Sequence, residues 1–210
     1  MPDVMIQSMH VIPDIYRYYL RKWRVVCKGT AMKFVALLRG INVGGKCRVE
    51  MPRLKLCIEA LGCTDVSTYI NSGNVLFSDE RDADSLVKLI EEVIEKEFGF
   101  RVPVVIRDQK NIAMLCKEIP AEWVNDPKSQ RTDVMFLWKQ HDSPDVLQTI
   151  PFKPDRERVM YLDGAIVWNV DRKDVTRSSV SKLIAHEIYK FMTIRNINTV
   201  RKLHALMSQN

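Results

Sequence analysis

Two β-rich runs, VSTYI (66–70) and NVLFS (74–78), are separated by only Asn71, Ser72 and Gly73. That spacing turns the chain back on itself as an antiparallel hairpin. Helical patterns stand on both sides of it. Pro52 suits a first helical position, and Leu54, Cys57/Ile58 and Leu61 follow at helical spacing up to a stop at Gly62. Downstream, Asp82 or Asp84 can cap a helix whose Leu86, Leu89/Ile90, Val93/Ile94 and Phe98 form one apolar stripe, ended by Gly99. KFVALL (33–38) before and VPVVIR (102–107) after read as strands. The resulting order, β-α-β-β-α-β, is the split βαβ arrangement of ferredoxin-like folds.

A helix at about 109–118 and a polar loop (119–130) lead into a partial echo. DVMFLW (133–138), RVMYLD (158–163) and AIVWNV (165–170) read as strands, and SPDVLQTI (143–150) as a short capped helix. SVSKLIAHEIYKFM (179–192) reads as one helix with Val180, Leu183/Ile184 and Ile188 on a stripe, and TVRKLHALMS (199–208) as a last helix. The second half is therefore expected as β-α-β-β-α-α, with no final strand. The fold class is α+β: two ferredoxin-like halves, 32–118 and 119–210, behind an N-terminal extension, 1–31, that lies outside the core.

With 210 residues, 46% of them hydrophobic, the chain can build such halves. The net charge of +6 is local: +3 falls in residues 1–31, zero in 32–118 and +3 in 119–210, with six basic residues against only Glu187 after residue 176. That tail can attract phosphates. Five cysteines in irregular positions, with no C-x-x-C pair, suit free thiols in a cytoplasmic protein better than disulfides or zinc. No metal or other cofactor is implied. No apolar stretch approaches the ~20 residues of a membrane span.

Gly40 to Lys46 has the Gly-x-x-x-x-Gly-Lys spacing of a phosphate-cradling P-loop, but the position that should hold Ser or Thr is Cys47. A thiol is a poor partner for Mg²⁺. A helix beginning at Lys46 would enclose Pro52, at a cost of about 3 kcal/mol in a helix interior. The following hairpin also conflicts with the parallel strands of a P-loop fold. An RNA-binding sheet is poorly supported as well, with Phe34 on the first strand and Phe77 on the third but no adjacent aromatic pair.

FVALLRGINVGGK, then MPRL, LGCTDVSTYINSGNVLF, SKL and TIRNINTVRKL, in that order from Met32 to Leu206, resemble the bacterial family called domain of unknown function 1697. The resemblance implies a two-lobed α+β protein resembling duplicated ferredoxin-like units, and implies no established activity. This sequence departs from the family's pattern at Cys47, where a polar residue is usual, and at Ile197, where an aromatic is common.

Three loops concentrate polar donors: Arg39, Asn42, Gly44, Gly45 and Lys46; then Ser72 and Asn74 with Asn71; then Arg195, Asn196 and Asn198, expected between the last two helices. Such donors beside glycines suit an anion. Asparagines also cap turns and helices, and Asn198 suits an N-cap. The start of the 179–192 segment, TRSSVSK, offers a possible phosphate seat. Catalytic patterns are mostly absent: HEIYK has Lys190 where a zincin needs its second histidine, and Cys47 has no identifiable base. The leading reading is a binding module for a phosphate-bearing small molecule or nucleic acid. The alternatives are a small-molecule enzyme using the same loops, or an interaction and oligomerisation domain with no ligand.

Overall fold

The structure is a computed structural model that describes residues 30–45 and 47–209. The extension assigned to 1–31 lies outside the described residues except for Thr30 and Ala31, which are exposed. The first lobe runs β1 (Met32–Leu38), α1 (Met51–Ala60), β2 (Thr64–Tyr69), β3 (Asn74–Asp79), α2 (Ala83–Phe98) and β4 (Val104–Asp108). Its antiparallel sheet has the order β2-β3-β1-β4. Pro52 sits in the first turn of α1. Asp82 caps α2 by accepting from Ser85 N–H, and Gly99 closes it at φ 80°.

After α3 (Gln109–Glu118), the second lobe repeats the plan: β5 (Gln130–Leu137), α4 (Val146–Thr149), β6 (Glu157–Leu162), β7 (Ala165–Asp171), α5 (Val180–Ala185) and β8 (Met192–Asn196), followed by α6 (Ile197–Ser208). The sheet order β6-β7-β5-β8 matches the first lobe strand for strand. The expectation of a lobe without a fourth strand is corrected here. Met192–Asn196 pairs with β5 from Leu137↔Met192 to Asp133↔Asn196, supplying backbone partners that β5 would otherwise lack. The long helix read over 179–192 is also shorter. His186 takes extended angles (φ −80°, ψ 145°), residues 187–191 form a 3₁₀ turn, and Ile184 is 57% exposed instead of lying on a buried stripe. Helical spacing in a window where the backbone turns extended at one residue overstates the helix.

Three apolar layers follow from the alternation along the strands. Phe34, Ala36, Leu38, Val75 and Phe77 face α1 and α2. Met135, Leu137, Ile166 and Trp168 face Val146 of α4 and Leu183 of α5. The opposite sheet faces meet in a shared core: Val35, Leu37, Leu76 and Val105 join Val134, Phe136, Ala165 and Val167, with α3 (Ile112, Leu115) and α6 (Ile197, Val200, Leu203) packed among them. This layering closes off the sheet surface that RNA-binding ferredoxin-like domains use. Phe34 and Phe77 are in ring contact, 5.8 Å between centroids, but each is 2% exposed beneath the helices.

Candidate functional site

The glycine-rich loop leaves β1 through a run of left-handed backbone: Gly40 (φ 71°), Asn42 (55°), Gly44 (59°), Gly45 (74°) and Cys47 (49°). Asn42 organises it. Its Oδ1 accepts from Val49 N–H at 2.9 Å, and its Nδ2 donates to Val49 O (3.0 Å) and to Asn71 O (2.9 Å) on the hairpin turn. The loop and the hairpin turn, 29 residues downstream at Asn71, are therefore one structure, joined by one asparagine. Lys46 lies outside the described residues.

Arg195 and Asn74 meet as well. Arg195 Nε donates to Asn74 Oδ1 at 2.6 Å, and its Nη2 donates to Leu38 O (2.8 Å), Ser72 O (3.0 Å) and Gly73 O (3.1 Å). Its Nη1 donates to Thr193 Oγ1 and Ile194 O. The side chain is buried, and burial pushes the guanidinium down to about 10, which leaves it charged at neutral pH. Asn74 Nδ2 donates to Tyr69 O and Ser72 Oγ. Arg39 lies across Tyr189 and donates to Met192 O and Tyr189 O, both at 2.8 Å. The three polar segments thus converge, but Arg39, Asn74 and Arg195 spend their donors on the protein.

Asn196 and Asn198 serve other ends. Asn196, not Asn198, caps α6 by accepting from Thr199 N–H, and Asn198 donates to Asn125 O. Neither residue lies in a loop between two helices, because β8 precedes α6 and includes Arg195 and Asn196. The serine-rich phosphate seat at TRSSVSK is filled from within. The buried Glu157 carboxylate accepts from Ser179 N–H and, at 2.6 Å, from Ser179 Oγ, and it also accepts from Trp168 Nε1 at 3.0 Å.

What stays open is a cleft of about 570 Å³ between the glycine-rich loop, the start of α1 and the hairpin turn, lined by Asn42, Gly45, Arg48, Glu50, Pro52 and Asn71. The Arg48 side chain is 82% exposed, with Glu50 at 3.6 Å. Val43 (69% exposed) and Ile70 (50%) are unburied apolar residues on the same two segments, and Ile70 has φ 50°. A β-branched residue in the left-handed region is strained and concentrates at sites rather than scaffolds. A second depression of about 450 Å³, lined by Pro120, Trp123, Phe152 and Met160, is apolar, and its rim groups Glu157 and Arg158 bond inward. Among the described residues, no three His, Cys, Asp or Glu side chains come together as a metal site, and no helix is long and apolar enough to cross a membrane.

The sequence profile of the family described as "Protein of unknown function (DUF1697)" matches residues 32–168. The chain belongs to this family. A solved structure from Streptococcus pneumoniae, titled "The structure of conserved bacterial protein SP0830", is 26% identical, with a TM-score of 0.75 over 85% of this chain and 100% of that one. No curated protein matches the chain significantly. This DUF1697 chain carries its signature LRGINVGG on the cleft-forming loop.

Sequence reasoning missed Arg48, Glu50, Val43 and Ile70, which are unremarkable in composition. Only the folded loop brings Arg48 and Glu50 to the cleft wall, with Val43 and Ile70 exposed on the adjoining segments. Cys47, on the same glycine-rich loop, is exposed, whereas Cys57 and Cys63 are buried. Burial, then the neighbouring Asp79, pushes the Cys63 thiol far up, so it carries almost no thiolate. Brief treatment of the native protein with a thiol reagent, followed by peptide mass mapping, is expected to label Cys47 first among the described cysteines. Equal labelling of Cys63 would contradict the buried arrangement.

Proposed function

We propose that the chain is a cytoplasmic binding module for a phosphate-bearing small molecule, seated in the cleft between the glycine-rich loop and the hairpin turn. One observation carries this reading. Four of the six residues from Asn42 to Cys47 have positive φ, Gly44 and Gly45 in succession, and turns of left-handed backbone are the kind that present N–H groups to anions. Arg48 adds an exposed guanidinium, and Val43 and Ile70 offer apolar contact for the rest of the ligand. Gly44 and Gly45, with Lys46 between them and Cys47, are the residues expected to touch phosphate; Asn42 shapes the loop. Arg39, Ser72, Asn74 and Arg195 support it from behind.

The described cleft lining holds one carboxylate, Glu50, already paired with Arg48, and no histidine. That inventory favours a receptor over an acid–base catalyst. The burial of both sheet faces favours a small ligand over an extended nucleic acid. The test is isothermal titration with inorganic phosphate, pyrophosphate and mononucleotides, repeated on a Lys46→Ala/Arg48→Ala double variant. Binding that weakens tenfold or more in the double variant is expected, since each charge-assisted bond contributes ~1.5–3 kcal/mol. Absence of binding by the native protein at millimolar phosphate and nucleotide would overturn the reading. Binding of oligonucleotides alone, with steep salt dependence, would point instead to nucleic acid.

A further inference from the structure

β4 and β8 end in the same way. Ile106-Arg107-Asp108 leads into α3, with Asp108 Oδ1 accepting from Asn111 N–H; Ile194-Arg195-Asn196 leads into α6, with Asn196 Oδ1 accepting from Thr199 N–H. The two arginines also do the same thing in opposite directions. Arg195, on the second lobe, donates to Leu38 O at the end of β1 and to Gly73 O in the first-lobe hairpin turn. Arg107, on the first lobe, donates to Leu137 O (2.7 Å) at the end of β5 and to Gly164 O (2.8 Å) in the second-lobe hairpin turn. Each Nη1 bonds the carbonyl of the preceding isoleucine, at 3.0 Å for Arg107 and 2.9 Å for Arg195. The carbonyls they reach are themselves equivalent, because Leu38 N–H donates to Gly73 O and Leu137 N–H to Gly164 O.

The registers extend the match. Val35 lies opposite Arg107 as Val134 lies opposite Arg195, and Asn74 opposite Leu37 as Ala165 opposite Phe136. That last pair explains one asymmetry. Arg195 Nε is accepted by Asn74 Oδ1, whereas Arg107 Nε, facing an alanine at the equivalent place, is buried without a partner. The loops beside the turns diverge too: Asn42 holds the first-lobe turn with its amide, while Asp142 holds the second with a carboxylate that accepts from Gly164 N–H and Tyr161 OH. The second-lobe turn is thus held by a carboxylate where the first is held by a neutral amide.

We infer that the two like lobes are locked by a reciprocal exchange of arginines, and that Arg195 is a positioning residue that shapes the first-lobe cleft from the other lobe. The chain of contacts is continuous: Arg195 fixes Ser72 O and Gly73 O, the same turn offers Asn71 O to Asn42, and Asn42 sets the loop through Val49. The role assigned to the cleft rests on the phosphate reading; the exchange of arginines does not.

Amide hydrogen exchange on Arg195→Lys and Arg107→Lys separates the two. Lysine keeps the charge but lacks the planar fork that reaches several carbonyls at once. Arg195→Lys is expected to quicken exchange about tenfold or more at 38–49 and 70–75, in the other lobe, and to weaken inorganic phosphate binding. Arg107→Lys is expected to do so at 137–142 and 162–165, with phosphate affinity unchanged. Should Arg195→Lys fail to fold, Asn74→Ala removes one acceptor only and reports on the same first-lobe segments. Exchange confined to each arginine's own lobe, or spread equally over both lobes in both variants, would overturn the reciprocal clasp. If the native protein binds no phosphate, the functional reading falls while the exchange pattern still decides the clasp. If it binds phosphate and Arg195→Lys leaves affinity unchanged, Arg195 is not a positioning residue.

Discussion

Gly73→Ala is expected to destabilise the protein by about 3 kcal/mol, lowering the melting temperature by roughly 10 °C for a domain of this size. Two costs combine. Gly73 has φ 76°, where an L residue with a Cβ is strained. The added Cβ would also lie 2.7 Å from Leu38 Cβ and 2.8 Å from Ile41 Cδ1, closer than carbon atoms approach. Leu38 cannot retreat easily. Its side chain packs in the helix-side core, its N–H donates to Gly73 O, and its carbonyl accepts from Arg195. Gly99→Ala is the control. Its φ is 80°, but nothing lies within 4 Å of the added Cβ, so it should cost only the backbone share, about 1 kcal/mol. Paired thermal melts measure the difference. Equal losses would mean that close packing at the turn contributes nothing.

The same residues show what the sequence could reveal. Asn71-Ser72-Gly73 between two β-rich runs announces the hairpin locally, because a tight turn needs a residue that tolerates positive φ. The helices around it were equally legible, from caps and apolar stripes that depend on neighbours three or four positions away. β8 was not legible. Met192–Asn196 is five residues long, follows a broken helical stripe and becomes a strand only because β5 offers it a free edge. The doubling of Ile-Arg-Asp and Ile-Arg-Asn was in plain view, but two tripeptides carry no weight until each arginine is seen to cross to the other lobe.

The candidate site was legible in part for the same reason. Asparagine, glycine and arginine in loops mark both anion receptors and internal staples, and composition does not separate them. Folding separates them by where the donors point. Arg195 had the residue type of a ligand-binding group, but its bonds to Asn74, Thr193 and the backbone carbonyls of Leu38, Ser72, Gly73 and Ile194 make it a buried fastener. Arg48, one residue beyond Cys47, keeps its side chain in solvent beside the cleft. The basic tail changes meaning likewise. Arg195 is internal and Lys190 pairs with Glu187, so the charge after residue 176 does not form one uniform phosphate-attracting face.

Glu157→Ala is expected to cost about 3–5 kcal/mol, comparable to or larger than the turn substitution. Glu157 is only 4% exposed, and its carboxylate receives Trp168 Nε1, Ser179 N–H and Ser179 Oγ. Truncation leaves those donors without their acceptor in a site where Trp168 is wholly buried and Ser179 nearly so, and each lost partner costs about 1–3 kcal/mol. The carboxylate also ties the start of β6 to the start of α5, which is only six residues long and has no side-chain cap of its own. Glu157→Gln keeps the shape and one carbonyl oxygen, so it should recover part of the loss, about half, while its NH₂ group faces donors it cannot satisfy. The ordering native, Gln, Ala in urea midpoint, with little change in slope, is the expected result. A Glu157→Ala protein as stable as the native one would mean that the helix-start seat is held by something other than this carboxylate. In that case its occupation by Glu157 could no longer count against a ligand binding there.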